Sequence, residues 1–236
     1  MATLKAVKQS KSKSDPAEAA VTAPQLRDTD RTREKIIRHA TKEIAAKGFD
    51  GARVDKIAAS CRLSKNTLYY HFKSKEGLFT AVLEGMYERL RKRQDDLDIP
   101  FDRPEAAIKE FARQTFWAFA DNPDIIRLLN DENLHGARHI KKSTVLRSLY
   151  DPLVDVVSRI LSTGQDAGVF KKNLDAVSIY IVISSISYHF LSNRYTLELT
   201  LNRDMSSVEA YKAWSEYVAD VAVVVCKNLD PGMMPV

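Results

Sequence analysis

Apolar residues between positions 54 and 75 fall at helical spacing in two short runs. Four residues of the first run are three and four positions apart and share one helix face: Val54, Ile57, Ala58 and Cys61. The pattern breaks at Arg62-Leu63, and Ser64 is a suitable N-cap for a second helix. In that helix Leu68 and Phe72, four positions apart, face inward. The pattern predicts two short helices joined by a tight turn.

The outer face of the second helix is polar and aromatic. Asn66, Thr67 and Tyr70 point away from the inner face, and Tyr69 and His71 lie on its flanks. Two short helices joined by a three-residue turn, with such a face on the second, indicate a helix-turn-helix. An α-helix fits the major groove of B-form DNA, where Asn or Lys pairs with base edges. This face is therefore a candidate surface for DNA.

The next helix is predicted to begin at Ser74, a good N-cap. Lys75 lies in its first turn, where the helix macrodipole disfavours a cation. A lysine beside the free N–H groups of this turn indicates that a phosphate docks there.

The rest of the chain shows helical periodicity and no alternating strand pattern. Helix one is predicted from about Thr32 to Lys47 with Gly48 ending it, and helix four from about Lys75 to Asp95. Pro152 either kinks helix seven or marks its real first turn. The sequence predicts an all-α protein of about nine helices. The remaining helices are predicted over residues 104–120, 122–140, 144–167, 175–193 and 206–229.

The last two predicted helices are apolar on more than one side. Residues 177–183 are almost all apolar, and residues 211–225 repeat the pattern. Such helices must be covered on two sides. A twofold interface, with these helices of two subunits forming a four-helix bundle, would cover them. A larger core within one subunit is the alternative.

Charge is distributed unevenly along the chain. Residues 27–75 carry 13 Lys and Arg against 6 Asp and Glu, although the net charge of the whole chain is only +5. A polyanion-binding domain or a solvated basic surface would explain this excess. The boundaries predicted from this pattern are a disordered basic tail (1–28), a helix-turn-helix domain (29–76) and a helical domain for ligand binding and dimerisation (77–236). The tail either contacts DNA or only solubilises the protein.

Composition narrows the compartment and the class of chemistry. Two cysteines 165 positions apart give no disulfide framework, which fits a reducing cytoplasm, and no segment is long and apolar enough to span a membrane. One candidate metal site is present: Glu132, His135 and His139, with the histidines four apart on the predicted helix six. The alternative is that these residues line a cavity or cap helix ends. No motif of an enzyme or a cofactor site is found, although an all-helical enzyme and a helical scaffold without DNA affinity remain alternatives.

Several polar and aromatic side chains lie on otherwise apolar helices. Buried polar groups need partners, so they satisfy one another or face a ligand cavity between helices. The candidate ligand-binding residues are Phe116, Trp117, Asn133, His135, Tyr180, Tyr188, His189 and Asn193.

Residues 52–79, ARVDKIAASCRLSKNTLYYHFKSKEGLF, resemble the DNA-binding signature of the TetR-type transcriptional regulators. The matching parts are V-x-x-I-A, L-S-x-x-T-L-Y-Y-H-F and S-K-E-x-L-F. The chain departs from the pattern at Cys61-Arg62-Leu63, where the family usually has Ala-Gly-Val, and at Arg53, where Thr or Ser usually caps helix two. Residues 150–170 and the segment ISYHFLSNRY resemble more weakly the subgroup that includes the regulator of pyrimidine utilisation, which points to a small aromatic or heterocyclic effector.

The resemblance implies a homodimeric, ligand-responsive regulator, most simply a repressor, that binds a palindromic operator in double-stranded DNA. Lys65, Asn66, Thr67, Tyr69 and Tyr70 are expected in the major groove. Phosphate contacts are expected from the remaining candidates, Thr32, His71 and Lys75, with Arg53 as a further DNA-contacting candidate.

Overall fold

The computed structural model describes residues 23–95, 98–145 and 151–230. This part of the chain contains nine α-helices and one 3-10 turn at Ile140–Lys142. It contains no strand and no helix that is long and apolar enough to cross a membrane. The helices are α1 (Ala23–Gly51), α2 (Val54–Ser60), α3 (Lys65–Phe72), α4 (Lys75–Asp95), α5 (Pro104–Ala120), α6 (Pro123–Leu134), α7 (Asp151–Asp166), α8 (Ala176–Leu201) and α9 (Val208–Asn228).

Helices α1 to α3 and the first turns of α4 (residues 23–82) form the N-terminal head. The predicted caps are confirmed: the Ser64 hydroxyl accepts the N–H of Thr67 at 3.0 Å, and the Ser74 hydroxyl accepts that of Gly77 at 3.0 Å. These caps fix the start of α3 and the start of α4. Its inner residues, Leu68 and Phe72, are buried in the head.

The remaining helices form a second layer around α5. Helices α5 and α9 run antiparallel, because Glu105 pairs with Lys227 at one end and Trp117 contacts Tyr211 at the other. Helix α8 lies against both through aromatic packing, with the rings of Phe190 and Trp214 stacked at 4.4 Å. Exposed ion pairs such as Lys109–Asp220 line the rim of this packing, where they contribute little stability.

Three predicted boundaries are wrong. Helix one was expected to begin at Thr32, but α1 begins at Ala23, so residues 23–28 of the predicted tail are helical and the rest of that tail lies outside the described residues. Helix six was expected to reach residue 140, but α6 ends at Leu134, because Gly136 and Ala137 follow with positive φ angles. Helix eight continues to Leu201, two turns beyond its predicted end.

Two other boundary expectations are met. Pro152 is the second residue of α7 as far as the helix is described, which agrees with the first-turn interpretation; residues 146–150, just before it, lie outside the described residues. Gly48 breaks α1 with φ 69° and ψ 171°, where a glycine end had been expected.

Two helical glycines allow a matched test of the packing. A Cβ at Gly164 of α7 would lie 2.0 Å from the buried ring of Phe170, whereas a Cβ at Gly85 of α4 would meet only ordinary contact, 3.6 Å from Ile37. Gly164→Ala should therefore destabilise the protein by about 1–3 kcal/mol, and Gly85→Ala should stabilise it by about 0.5–1 kcal/mol. Urea unfolding measures both, and equal effects would contradict the packing of α7 on Phe170.

Candidate nucleic-acid interface

The exposed face of α3 consists of polar and aromatic side chains. Lys65 and Asn66 are exposed in its first turn, and the side chains of Tyr69 and Tyr70 are 39% and 72% exposed. Thr67 is half-buried, and its hydroxyl lies 2.9 Å from that of Ser64. Four of the five residues predicted to enter the major groove are therefore free to contact a ligand, whereas Thr67 is tied to the cap of the helix.

Two cations that the sequence analysis missed lie at the C-terminal end of α3. Lys73 follows α3 directly and places its ammonium 5.7 Å from the ring centroid of Tyr70. The guanidinium of Arg33, on α1, lies 5.4 Å from the ring centroid of Phe72. Burial, together with this guanidinium, lowers the pKa of His71. His71 is therefore neutral at pH 7 and offers a hydrogen bond rather than a charge.

The other predicted phosphate-contacting residues occupy varied places in the head. The Thr32 hydroxyl, within α1, donates to the carbonyl of Asp28 at 2.8 Å, and so Thr32 is not at a helix start. Arg53 precedes α2 without capping it and forms an exposed ion pair with Asp55 at 2.8 Å. The Lys75 ammonium donates to the carbonyl of Asp50 at 3.2 Å and lies 4.8 Å from the ring centroid of Phe49.

The head joins the second layer through a buried histidine. The ring of His139 lies 4.5 Å from that of Phe49 and 4.7 Å from that of Phe79, centroid to centroid. Its Nδ1 lies 2.6 Å from Oε2 of Glu132, whose Oε1 accepts the N–H groups of His139 and Ile140 at 2.7 and 2.9 Å. Both side chains of this pair are 1% exposed. The carboxylate of α6 therefore fixes the ring on which the head packs.

A second contact fixes the same junction. Asp131 accepts the N–H of Phe49 at 3.0 Å. A Cβ at Gly48 would lie 2.8 Å from Oδ1 of Asp131, so this close approach and the positive φ both require glycine. Nε2 of His139, in contrast, is buried without a hydrogen-bond partner among the described residues.

The metal hypothesis for Glu132, His135 and His139 is wrong. The chain leaves the helix after Leu134, so the two histidines do not share a helix face. Glu132 and His139 bond each other, whereas His135 bonds the carbonyl of Asp131 and, at 3.2 Å, the carboxylate of Asp50. Both bonds raise the pKa of His135, and the bond to the Asp131 carbonyl is the larger cause. No group of three metal-ligating side chains is found in the described ranges.

A groove of about 330 Å³ opens beside this junction, between α6 and α8. It brings together three of the eight predicted ligand residues, Asn133, Tyr180 and Tyr188. The Tyr188 hydroxyl donates to Oδ1 of Asn130 at 2.5 Å, and burial raises the pKa of this phenol. Glu132 forms one wall, so the residue that holds His139 against the head also lines the groove. The other lining residues are Tyr87, Phe119, Leu129, Ile140, Ser184 and Ser185.

The other five predicted ligand residues lie outside this groove. Phe116 is fully buried and packs on Phe190 and Trp117, which makes it a core residue. His135 faces the head, and the amide of Asn193 donates to the carbonyl of His189 on the surface of α8.

This arrangement defines a class of protein: a helix-turn-helix regulator with a separate helical effector domain. Two family models match the chain. Residues 36–82 match the bacterial regulatory proteins of the tetR family, and residues 104–222 match the tetracyclin repressor-like C-terminal domain.

Several proteins that are similar to this chain are transcriptional regulators. The transcriptional repressor NicS of Pseudomonas putida is 32% identical over 202 residues, which cover 86% of this chain and 95% of NicS. The regulator RutR of Escherichia coli O157:H7 is 28% identical over 163 residues, 66% of this chain and 73% of RutR. The crystal structure of SCO4942 from Streptomyces coelicolor matches 80% of this chain and 97% of its own with a TM-score of 0.61 and 27% identity.

The chain belongs to the TetR family of bacterial regulatory proteins. It is a ligand-responsive, DNA-binding transcriptional regulator and not an enzyme. Regulators of this family bind DNA, dimerise and respond to small-molecule effectors.

Two substitutions separate base contacts from phosphate contacts. Asn66→Ala should weaken binding to a specific operator by about 1–3 kcal/mol and leave non-specific binding nearly unchanged, because an amide discriminates bases. Lys75→Ala should weaken binding to every duplex and lower the salt slope by about one per protomer, because a phosphate carries no sequence information. Fluorescence anisotropy across a salt series measures both. Equal losses for Asn66→Ala on both duplexes, or an unchanged slope for Lys75→Ala, would remove that residue from its assigned contact.

Proposed function

We propose that this protein is a homodimeric, cytoplasmic repressor that binds a palindromic or pseudo-palindromic operator and is released by a small aromatic or heterocyclic effector. The outward face of α3 carries the proposal, because two tyrosines, an amide and a lysine on this helix are exposed and are not covered by any part of the chain that the structure describes. NicS, which is 32% identical to this chain, is named as a transcriptional repressor, and this supports repression rather than activation.

The proposed division of contacts follows from exposure. Lys65, Asn66, Tyr69 and Tyr70 enter the major groove, where side chains distinguish base pairs by their hydrogen-bonding edges. The further contacts, which we assign to the sugar-phosphate backbone, come from Thr32, Arg53, Thr67, His71 and Lys75.

The proposed dimer forms through α8 and α9. Val177 and Ile181, one turn apart on α8, are 45% and 52% exposed, and Tyr217 and Val224 of α9 are 53% and 57% exposed. The stripe continues along α8 to Tyr195. Large apolar side chains exposed in rows on neighbouring helices indicate an interface, and a twofold axis would bury both rows at once.

A pair of charges tests this interface. The double variant Ile181→Asp and Val224→Asp should be monomeric at 26.6 kDa and bind its operator at least about tenfold more weakly, because the dimer would bury unpaired carboxylates. Light scattering measures the mass. Ser158→Asp, on the exposed side of α7, is the control and should remain a dimer. A double variant that also stays dimeric would place the interface elsewhere.

The effector is proposed to act through the junction. A compound in the groove between α6 and α8 contacts the wall formed by Glu132, and Glu132 holds the His139 ring against Phe49 and Phe79. A small displacement of α6 therefore moves the head and α4, and changes the separation of the two α3 helices in the dimer. The compound must bind this displaced state more tightly for release to follow.

His139→Asn tests this route. The amide of Asn replaces the Nδ1 donor to Glu132 but removes the ring on which the head packs. We expect a compound found by thermal-shift screening of aromatic metabolites to bind this variant within about threefold of its wild-type affinity. In the wild-type protein we expect the compound to change operator affinity by about 5–150-fold, as effectors of allosteric proteins do. In His139→Asn this factor should fall towards one. Trp117→Phe, remote from the junction, should keep the coupling. Unchanged coupling in His139→Asn would exclude this route.

A further inference from the structure

Two residues that flank α3 hold a backbone conformation that L-amino acids rarely adopt. Arg62, in the turn before α3, has φ 55°, and Lys73, directly after α3, has φ 64°. Glycine takes this left-handed region without steric cost, whereas other residues are strained there. The chain nevertheless has an exposed cation at each position.

The other strained positions of the described ranges differ in kind. They are Ala137, Asn173 and Asn202. Asparagine tolerates the left-handed region because its short side chain bonds locally, and Ala137 lies in the turn after α6. Long cations occupy such positions only at the two ends of α3. Strain that persists at an exposed position is a reason to look for a function of the side chain.

The fold itself makes little use of either side chain. The guanidinium of Arg62 has no hydrogen bond or ion pair within the described part of the chain. The ammonium of Lys73 contacts only the Tyr70 ring, which is itself 72% exposed on the candidate DNA face. Both backbone N–H groups are already bonded, that of Arg62 to the carbonyl of Ala59 and that of Lys73 to the carbonyl of Tyr69, each at 2.9 Å. Glycine would keep these backbone bonds.

The spacing of the two cations suits DNA. Helix α3 has eight residues and is therefore about 12 Å long at 1.5 Å per residue, which is about the width of the major groove. A helix of this length inserted in the groove has its two ends near the phosphates that border it. We propose that Arg62 and Lys73 form a phosphate clamp, one cation at each end of α3, that positions the helix on the phosphodiester backbone. The clamp rests on the DNA-binding function proposed above.

Glycine variants test the clamp because stability and binding should change in opposite directions. Arg62→Gly and Lys73→Gly remove strain, so each should melt about 2 °C above the wild type. Each should also bind DNA about tenfold more weakly in 0.1 M salt and lower the salt slope by about two per dimer, one for each protomer. The probes are a duplex that the wild-type protein selects from a random pool and an unrelated duplex. Losses should be similar on both, because phosphate contacts carry no sequence information.

Control variants separate the effect of losing the cation from the effect of relieving the backbone strain. Asn173→Gly, remote from α3, should not weaken DNA binding, and Arg62→Lys and Lys73→Arg should bind nearly as the wild type does. Arg62→Gln and Lys73→Gln repeat the loss of charge if a glycine variant fails to fold. Wild-type affinity in the glycine or glutamine variants would overturn the clamp, as would a loss on the selected duplex alone. A wild-type protein that selects no duplex would overturn DNA binding itself, and the clamp with it.

Discussion

Phe49 and Phe79 pack on the imidazole of His139, and this contact joins the N-terminal head to the rest of the described chain. The ring is held by Glu132, which is satisfied by three hydrogen bonds and almost fully buried. Removing one partner of a buried hydrogen-bonded pair leaves the other unsatisfied, at a cost of about 1–3 kcal/mol. The turn of chain after α6 therefore fixes the ring on which Phe49 and Phe79 of the head pack, next to the contact that Asp131 makes with the same segment of the head.

This arrangement places the two proposed activities on either side of a single side chain. The groove between α6 and α8 includes Glu132 in its wall, and the exposed face of α3 belongs to the head, whose Phe49 and Phe79 pack on His139. Helix α4 begins beside α3 and carries Phe79, so a shift at the junction reaches both ends of the head. Such coupling requires a two-state element biased by both sites, and the turn after α6 is the element that the structure offers.

The sequence predicts most of the fold because helical periodicity and capping are local. The starts of α3 and α4 follow from Ser64 and Ser74, and the outward face of α3 follows from the spacing of Asn66 and Tyr70. The groove and the junction depend instead on contacts between residues far apart in the chain, which periodicity does not report. His139 seemed a possible metal ligand only because α6 was extended through Gly136, whose positive φ ends the helical pattern. The backbone strain at Arg62 was not predicted from the sequence either. The position of Arg62, in a turn where the family usually has glycine, could have indicated it.

The uncompensated Nε2 of His139 has an energetic consequence. A buried polar atom without a partner costs about 1–3 kcal/mol, and this one belongs to a ring that packs on Phe49 and Phe79 of the head. Any rearrangement that let water or another donor or acceptor reach this nitrogen would recover that cost. This cost destabilises the observed arrangement of the head. It therefore reduces the free-energy difference from a second arrangement before any compound binds.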